Sequence, residues 1–139
     1  MKIFIKIVLT LVLCMSLSNV IYAQSQDNTI WFRTTHVAMR YKAYNVWSDW
    51  SDWQDCEVNI RIDLSNDKII IYSLEPQIYR VIETANAPYD SNGEQIAFKV
   101  IDQDNDIGRL RLRVENNNNT QIYIDFNDVS WAYNIKRIN

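Results

Sequence analysis

The amino-acid sequence predicts an all-β protein, a small antiparallel meander of about eight strands that is closed or nearly closed into a barrel. Apolar and polar residues alternate with a period of two through most of residues 24–139, which is typical of strands with one buried face. Short groups of Asn, Asp, Ser and Gly separate the alternating stretches, as turns between strands do. No stretch combines a sustained helical period with a capping residue, so helices are not expected.

The alternating stretches define the predicted strands. In residues 108–115, Leu110 and Leu112 face one way, whereas Arg109 and Arg111 face the other. Residues 68–74 are apolar on both faces, which indicates a more deeply buried strand. In chain order, the predicted strands cover residues 31–42, 57–64, 68–74, 77–84, 96–102, 108–115, 121–126 and 130–138.

Turn residues set the predicted connections at residues 65–67 (SND), Asn92-Gly93, residues 104–106 (DND) and residues 116–119 (NNNN). Because such short links join neighbouring strands, we expect antiparallel pairing. Consecutive hairpins favour an up-and-down barrel, since closure removes the exposed sheet edges, and a two-sheet sandwich is the alternative.

The inward-facing residues are mostly large: Ile, Leu, Val, Phe, Trp and Tyr. Their size predicts a barrel interior that is filled by side chains. The architecture is similar to that of lipocalin-like proteins, although the Gly-x-Trp motif of that family is absent from the sequence.

Residues 1–23 have the three parts of a secretory signal peptide. Lys2 and Lys6 form a basic start, an apolar run follows, and Ala23 ends the segment with a small residue suited to cleavage. The apolar run is shorter than the ~20 residues needed to span a bilayer, so a retained anchor helix is the weaker alternative. The sequence therefore predicts an exported protein, secreted or periplasmic, in which residues 24–139 form a single β domain.

The charge of the chain restricts its partners. It has 14 Lys and Arg against 17 Asp and Glu, for a net charge of −3, and it contains no long basic block. We therefore expect no nucleic-acid partner and no insertion into a membrane after the signal peptide is removed. Because His36 is the only histidine, a multi-histidine metal site is excluded, and neither a metal nor another cofactor is predicted.

Cysteine usage predicts a fold without disulfides. Cys14 lies within the predicted signal peptide, so Cys56 is the only cysteine of the exported domain and forms no internal bridge. We expect Cys56 to be buried as a small apolar residue, and a bond to another chain is the alternative.

Residues 47–56 read WSDWSDWQDC and place Trp47, Trp50 and Trp53 three residues apart. This period fits neither a helix nor a strand, whereas in polyproline II three residues per turn put all three rings on one side. In one interpretation the rings cap one end of the barrel, where each large aromatic buries about 150–250 Å². In the other, exposed rings flanked by aspartates bind a ligand, so the three tryptophans are candidate ligand-binding residues.

Two known motifs resemble this segment. Residues 47–51 match the WSxWS box of cytokine receptors, and WSDWSDWQDC is similar to the opening of a thrombospondin type 1 repeat. In both families the tryptophans form a ladder interleaved with arginine side chains, held by cation–π contacts. The resemblance covers at most ten residues and implies a ladder, for which Arg109, Arg111 and Arg113 are candidates because alternate strand residues share a face.

Scattered carboxylates offer two further candidate sites. Residues 102–108 (DQDNDIG) begin like a calcium loop but lack the glycine and glutamate of an EF-hand, so we predict a hairpin tip. Glu94, Asp102 and Asp125 are the carboxylates considered for a glycoside-hydrolase pair, whose two groups stand about 5–10 Å apart. No catalytic residue is assigned.

The favoured functional interpretation is an exported, non-enzymatic β-domain that acts as a binding or interaction module. It would bind an unknown protein, peptide or carbohydrate through the aromatic patch at Trp47, Trp50 and Trp53. The alternatives are a carrier of a small apolar ligand inside the barrel and a carboxylate-dependent hydrolase. A cavity of ligand size would favour the carrier, and two carboxyl groups converging in one cleft would favour the hydrolase.

Overall fold

The structure is a computed structural model that describes residues 28–90, 93–117 and 119–139. The predicted signal peptide, residues 1–23, and Asn92 of the predicted Asn92-Gly93 turn lie outside the described residues. Within the described ranges, no helix is long and apolar enough to cross a membrane.

Ten strands and one short 3₁₀ turn make up the regular structure of the described residues. All eight predicted strands are present, and two further strands of two residues each flank the tryptophans. The strands are β1 (Thr29–Ala43), β2 (Val46–Trp47), β3 (Gln54–Asp55), β4 (Asn59–Asp63), β5 (Lys68–Ile71), β6 (Gln77–Asp90), β7 (Gly93–Ile101), β8 (Ile107–Glu115), β9 (Thr120–Asp125) and β10 (Val129–Arg137), with the 3₁₀ turn at Leu64–Asn66 between β4 and β5.

Eight of the strands close into an antiparallel barrel, as predicted, rather than a two-sheet sandwich. Around the barrel the order is β1, β4, β5, β6, β7, β8, β9 and β10, and β10 pairs with β1 to complete the ring. Phe32 of β1 lies opposite Ile60 of β4, and Val37 of β1 lies opposite Tyr133 of β10. Closure leaves these eight strands without a free edge along the paired registers, which removes the main route to edge-to-edge association.

The centre of the barrel is filled by the apolar side chains that the period-two pattern assigns to one face. Ile62, Ile69 and Ile124 are almost completely buried there, whereas Arg109 on the opposite face of β8 is exposed. The buried core consists of Phe32, Ile60, Ile62, Ile69, Ile71, Tyr79, Phe98, Val100, Leu110, Ile122, Ile124, Tyr133 and Ile135.

Gly108 and two loop residues show why particular residue types stand at the strand ends. A Cβ on Gly108 would lie 2.7 Å from the ring of Phe126, so the glycine leaves the space that this partly buried ring occupies. Asp67 and Asn105 adopt positive φ angles of 51° and 67° in the β4–β5 and β7–β8 connections. Both connections are therefore tight turns of the kind that their Asn and Asp residues predict.

Two departures from simple alternation have local causes. Alternation within residues 57–64 puts Leu64 on the same face as Ile62, but Leu64 is exposed because the chain leaves β4 and enters the 3₁₀ turn at this residue. In β1 the register shifts between Thr34 and His36, so that Thr34 and Val37 both face inward. The completely buried Thr34 hydroxyl donates to the carbonyl of Cys56 at 2.7 Å and accepts from the amide of Val58 at 2.9 Å. These bonds satisfy the backbone where the chain passes from β3 to β4.

Candidate functional site

One end of the barrel is built differently from the rest because its strands have unequal lengths. β10 pairs with β1 as far as Tyr41, but β4 begins only at Asn59 and covers β1 no further than Arg33. Residues 46–55, which we call the tryptophan segment, fold back along the part of β1 that β4 leaves free. The tryptophan segment therefore forms one wall of the barrel at this mouth.

Two serines attach the tryptophan segment to β1. The Oγ of Ser48 accepts from the amide of Tyr41 at 3.1 Å, and the amide of Ser48 donates to the carbonyl of the same residue at 2.8 Å. Ser51 repeats this pattern on Met39, at 2.9 and 2.8 Å. The segment thus meets β1 every third residue, which explains why the sequence repeats with a period of three and not of two.

The rings of Trp47 and Trp50 lie on the outer face of the barrel, on either side of an arginine of β1. The guanidinium carbon of Arg40 stands 4.7 Å from the ring centroid of Trp47 and 4.7 Å from that of Trp50. The ammonium of Lys42 lies 5.2 Å from the Trp47 ring. The three-residue spacing therefore places two indoles on either side of one cation, as the resemblance to the WSxWS box implies.

The ladder continues across β9 and β8. Trp50 meets Tyr123 edge to face with ring centroids 6.1 Å apart, and the guanidinium of Arg111 lies 4.5 Å from the Tyr123 centroid. Of the predicted arginine row, Arg111 joins the ladder through Tyr123, but the cation between the tryptophans is Arg40 of β1. Arg40 was not among the candidates because nothing local in the sequence indicates that β1 and the tryptophan segment are neighbours.

The three predicted site tryptophans differ in exposure. Trp47 is half-buried, whereas Trp50 and Trp53 remain 37% and 45% exposed. Asp49 and Asp52, between them, are exposed. Trp47 and Trp50 thus pack in a ladder, and part of Trp50 and of Trp53 faces solvent.

A cleft of about 530 Å³ opens at the mouth beside the tryptophan segment, and we call it the mouth cleft. It exists because β4 and β5 are too short to reach this end, so a gap remains between the tryptophan segment and the start of β6. Inward-facing residues of β1 and β10 form its apolar walls, and the tryptophan segment supplies polar groups. Its lining residues are Val37, Ala38, Met39, Tyr41, Ser48, Asp49, Ser51, Gln54, Gln77, Trp131 and Tyr133.

Tyr133 and Gln77 line the mouth cleft, and Tyr79, which is not among the lining residues, bonds to Gln77. The Tyr79 phenol donates to Oε1 of Gln77 at 2.8 Å, and the amide nitrogen of Gln77 donates to Ser73 at 3.2 Å. Burial raises the pKa of Tyr79 well above its usual range and also raises the pKa of Tyr133, so both phenols stay neutral at physiological pH. The indole N–H of Trp131 is buried close to the Tyr133 phenol but makes no well-aligned hydrogen bond with the described residues.

A second hollow of about 390 Å³ lies at the same end, among the β7–β8 and β9–β10 loops. Asp102, Asp106 and Asp128 are among its lining residues. One carboxylate oxygen of Asp102 accepts from the amides of Asp104 and Asp106, both at 2.9 Å, and so orders the hairpin tip that residues 102–108 were predicted to form.

The other two carboxylates considered for a hydrolase pair are Asp125 and Glu94. The carboxylate of Asp125 accepts from Arg111 on the outer face of the barrel, and the side chain of Glu94 lies outside the described residues. Across the part of the chain that the structure describes, no group of three His, Cys, Asp or Glu side chains is arranged to hold a metal ion.

His36 and Cys56 each contact neighbouring residues of the barrel. Nε2 of the half-exposed His36 lies 3.4 Å from the carboxylate of Asp55, its partner across the β1–β3 pair. Cys56 is free and half-buried, and it packs against the core beside Thr34. The prediction that Cys56 behaves as a small apolar residue therefore agrees with its position, although its burial is only partial.

Replacing Arg40 by methionine is expected to lower the free energy of unfolding by about 1–2 kcal/mol, because two cation–π contacts are lost while an unbranched apolar stem is kept. Urea denaturation followed by near-ultraviolet circular dichroism measures this change. Lys42→Met is the matched control: it removes a single, longer contact to Trp47 and should cost less. Equal stability of Arg40→Met and the unchanged protein would show that the ladder contributes nothing.

The mouth cleft is the feature that the sequence did not reveal. Alternation within residues 31–42 puts Val37, Met39 and Tyr41 on one face, and alternation within residues 130–138 does the same for Trp131 and Tyr133. The sequence does not predict that these two faces meet where β4 and β5 end. Their meeting depends on the pairing of the first strand with the last, which closes the barrel. Comparison of the chain with protein-family models, with curated proteins and with solved structures finds no match.

Proposed function

We propose that this chain is a non-enzymatic binding module that takes a small, largely apolar ligand in the mouth cleft. The observation that carries the proposal is the cleft itself, about 530 Å³ in volume and walled by aromatic and aliphatic side chains above a filled core. Small-molecule sites in proteins typically have ~300–1,000 Å³, mostly apolar walls and a few fixed polar groups. The proposal is close to the carrier alternative, with the ligand at the mouth of the barrel and not at its centre.

The walls of the cleft are held before any ligand binds. Ser48 and Ser51 bond the tryptophan segment to β1 through four hydrogen bonds, and the ladder around Arg40 fixes the segment from outside. Gln77 is held by its bonds to Tyr79 and Ser73. A site that is already ordered loses little conformational entropy on binding, which favours affinity.

Fluorescence of N-phenyl-1-naphthylamine, a neutral apolar dye, tests the proposal. We expect saturable binding to the protein and binding at least about tenfold weaker to Met39→Trp, because the larger ring fills part of the cleft. Leu74→Trp is the matched control, since Leu74 is fully exposed and lies outside the cleft. Dye binding that never saturates, or that is equal in both variants, would contradict a ligand site in the cleft.

A second candidate function is capture of a carbohydrate by the exposed surfaces of Trp50 and Trp53. What supports it is their exposure of 37% and 45% beside the exposed carboxylate of Asp52, since flat indoles stack on sugar faces and carboxylates accept from hydroxyls. Titration with cellohexaose should then shift tryptophan emission in the protein but not in Trp53→Ala. If iodide fails to quench any tryptophan, or cellohexaose changes nothing, this second candidate is wrong.

A further inference from the structure

The charge of the mouth cleft is carried by a single residue. Among the cleft-lining residues that the structure describes, Asp49 is the only Asp, Glu, Lys, Arg or His. In the described part of the chain the Asp49 carboxylate forms no ion pair. From this arrangement we propose that the ligand is a small organic cation, an amine or a quaternary ammonium with an apolar body. This inference rests on the proposed function, because it names the ligand class of the same cleft.

The basic residues nearest to Asp49 along β1 are directed elsewhere. Arg40 lies between the rings of Trp47 and Trp50, and Lys42 lies over Trp47, all on the outer face of the barrel. The same strand contributes Met39 and Tyr41 to the wall of the cleft. The ladder thus holds the two cations of this strand away from the cleft. A carboxylate with no cation beside it attracts a positively charged ligand and repels an anionic one.

The apolar walls suit the same ligand class. Trp131, Tyr133 and Tyr41 line the cleft, and the π-faces of Trp and Tyr attract ammonium groups, an arrangement used to bind quaternary ammonium ligands. Met39 and Val37 provide aliphatic surface for the body of the ligand. Because burial keeps the Tyr133 phenol protonated, that ring adds a neutral aromatic face and no second negative charge.

Isothermal titration calorimetry with three probes of equal chain length tests the ligand class. The probes are octyltrimethylammonium, 1-octanol and octanoate at low salt, the two ions below their micelle concentrations and the alcohol below its solubility limit. We expect octyltrimethylammonium to bind about three- to tenfold more tightly than 1-octanol, and octanoate to bind most weakly, since one exposed charge pair contributes modestly. Raising sodium chloride to about 0.5 M should reduce the preference for the cation, because salt screens exposed charges.

Asp49→Asn and Asp52→Asn form a matched pair of variants. Both remove one exposed carboxylate from the same repeat, but only Asp49 lines the cleft. The preference for the cation should disappear in Asp49→Asn and persist in Asp52→Asn. Equal loss in both variants would assign the effect to the general acidity of the surface and would overturn the inference.

The two proposals fail in different ways. If octanoate binds as tightly as octyltrimethylammonium, or the cation shows no saturable binding, the ligand class is wrong. Saturable N-phenyl-1-naphthylamine binding that Met39→Trp weakens would still uphold a ligand site in the cleft. If the dye binds nowhere and the cation gives no heat of binding, both proposals are wrong.

Discussion

Replacing Leu110 by alanine is expected to lower the free energy of unfolding by about 2–5 kcal/mol, the range for truncating a fully buried leucine. Leu110 of β8 lies opposite Phe98 of β7 and Ile124 of β9, and all three side chains belong to the buried core. Removing three carbons there loses their transfer free energy and leaves a cavity that a closed barrel cannot easily collapse around. Since small domains are stable by only about 5–15 kcal/mol, urea denaturation should detect the change readily.

Leu74→Ala is the control for Leu110→Ala because it deletes the same atoms from a fully exposed side chain. Its effect should stay within about 0.5 kcal/mol. The difference between the two variants isolates burial from the chemistry of the substitution. If both variants unfold at the same urea concentration as the unchanged protein, the core of the barrel does not stabilise the fold.

The strands were predictable because their signals are local. In β8 the alternation of arginine and leucine assigns Leu110 to the buried face and Arg109 to the exposed face without reference to the rest of the chain, and both side chains lie as assigned. Asp67 and Asn105 stand in turns at positive φ, where Asp and Asn are among the residue types that tolerate this geometry. The order of the strands around the barrel was also predictable, because short connections favour pairing between strands that are consecutive in the chain.

The tryptophan segment was predictable only in part. Its three-residue period indicated a threefold extended conformation, but the serines reveal their role only when β1 lies beside them. Arg40, and not the predicted row at Arg109, Arg111 and Arg113, lies between the tryptophans because β1 is beside the tryptophan segment. Propensity and periodicity describe single segments, and they carry no information on which strand edge a distant segment will cover.

The register shift in β1 shows a second limit of sequence patterns. One extra residue between Thr34 and His36 brings Val37 inward, so that a strict period of two assigns the wrong face on one side of the shift. The shift is stabilised by the buried Thr34 hydroxyl, whose partners at residues 56 and 58 are distant in sequence. Without the shift, the β1 residues Val37, Met39 and Tyr41, which line the mouth cleft, would be on the opposite face of their strand.

Replacing Asp125 by alanine should lower the free energy of unfolding by about 2–4 kcal/mol, because several charged or buried donors lose one acceptor. Its carboxylate accepts from Nε of Arg111 at 2.8 Å and from Nη2 at 3.3 Å, and from the completely buried Ser130 hydroxyl at 2.6 Å. Nε of Arg109 lies 3.6 Å away. Because the Arg111 and Asp125 side chains are both only 19% exposed, water replaces these bonds incompletely.

Two further variants, Asp125→Asn and Asp52→Ala, show how much of the stability lost in Asp125→Ala is due to the charge and to the hydrogen bonds of Asp125. Asparagine keeps a carbonyl oxygen for one donor but loses the charge. The free energy of unfolding of Asp125→Asn should therefore lie between those of Asp125→Ala and the unchanged protein. Asp52→Ala removes an exposed carboxylate and should change stability by less than about 0.5 kcal/mol. Since Arg111 also stacks on Tyr123, which meets Trp50, Asp125→Ala should in addition alter the near-ultraviolet circular dichroism of the native protein. An unchanged aromatic spectrum with lowered stability would mean that the ladder keeps its geometry without Asp125.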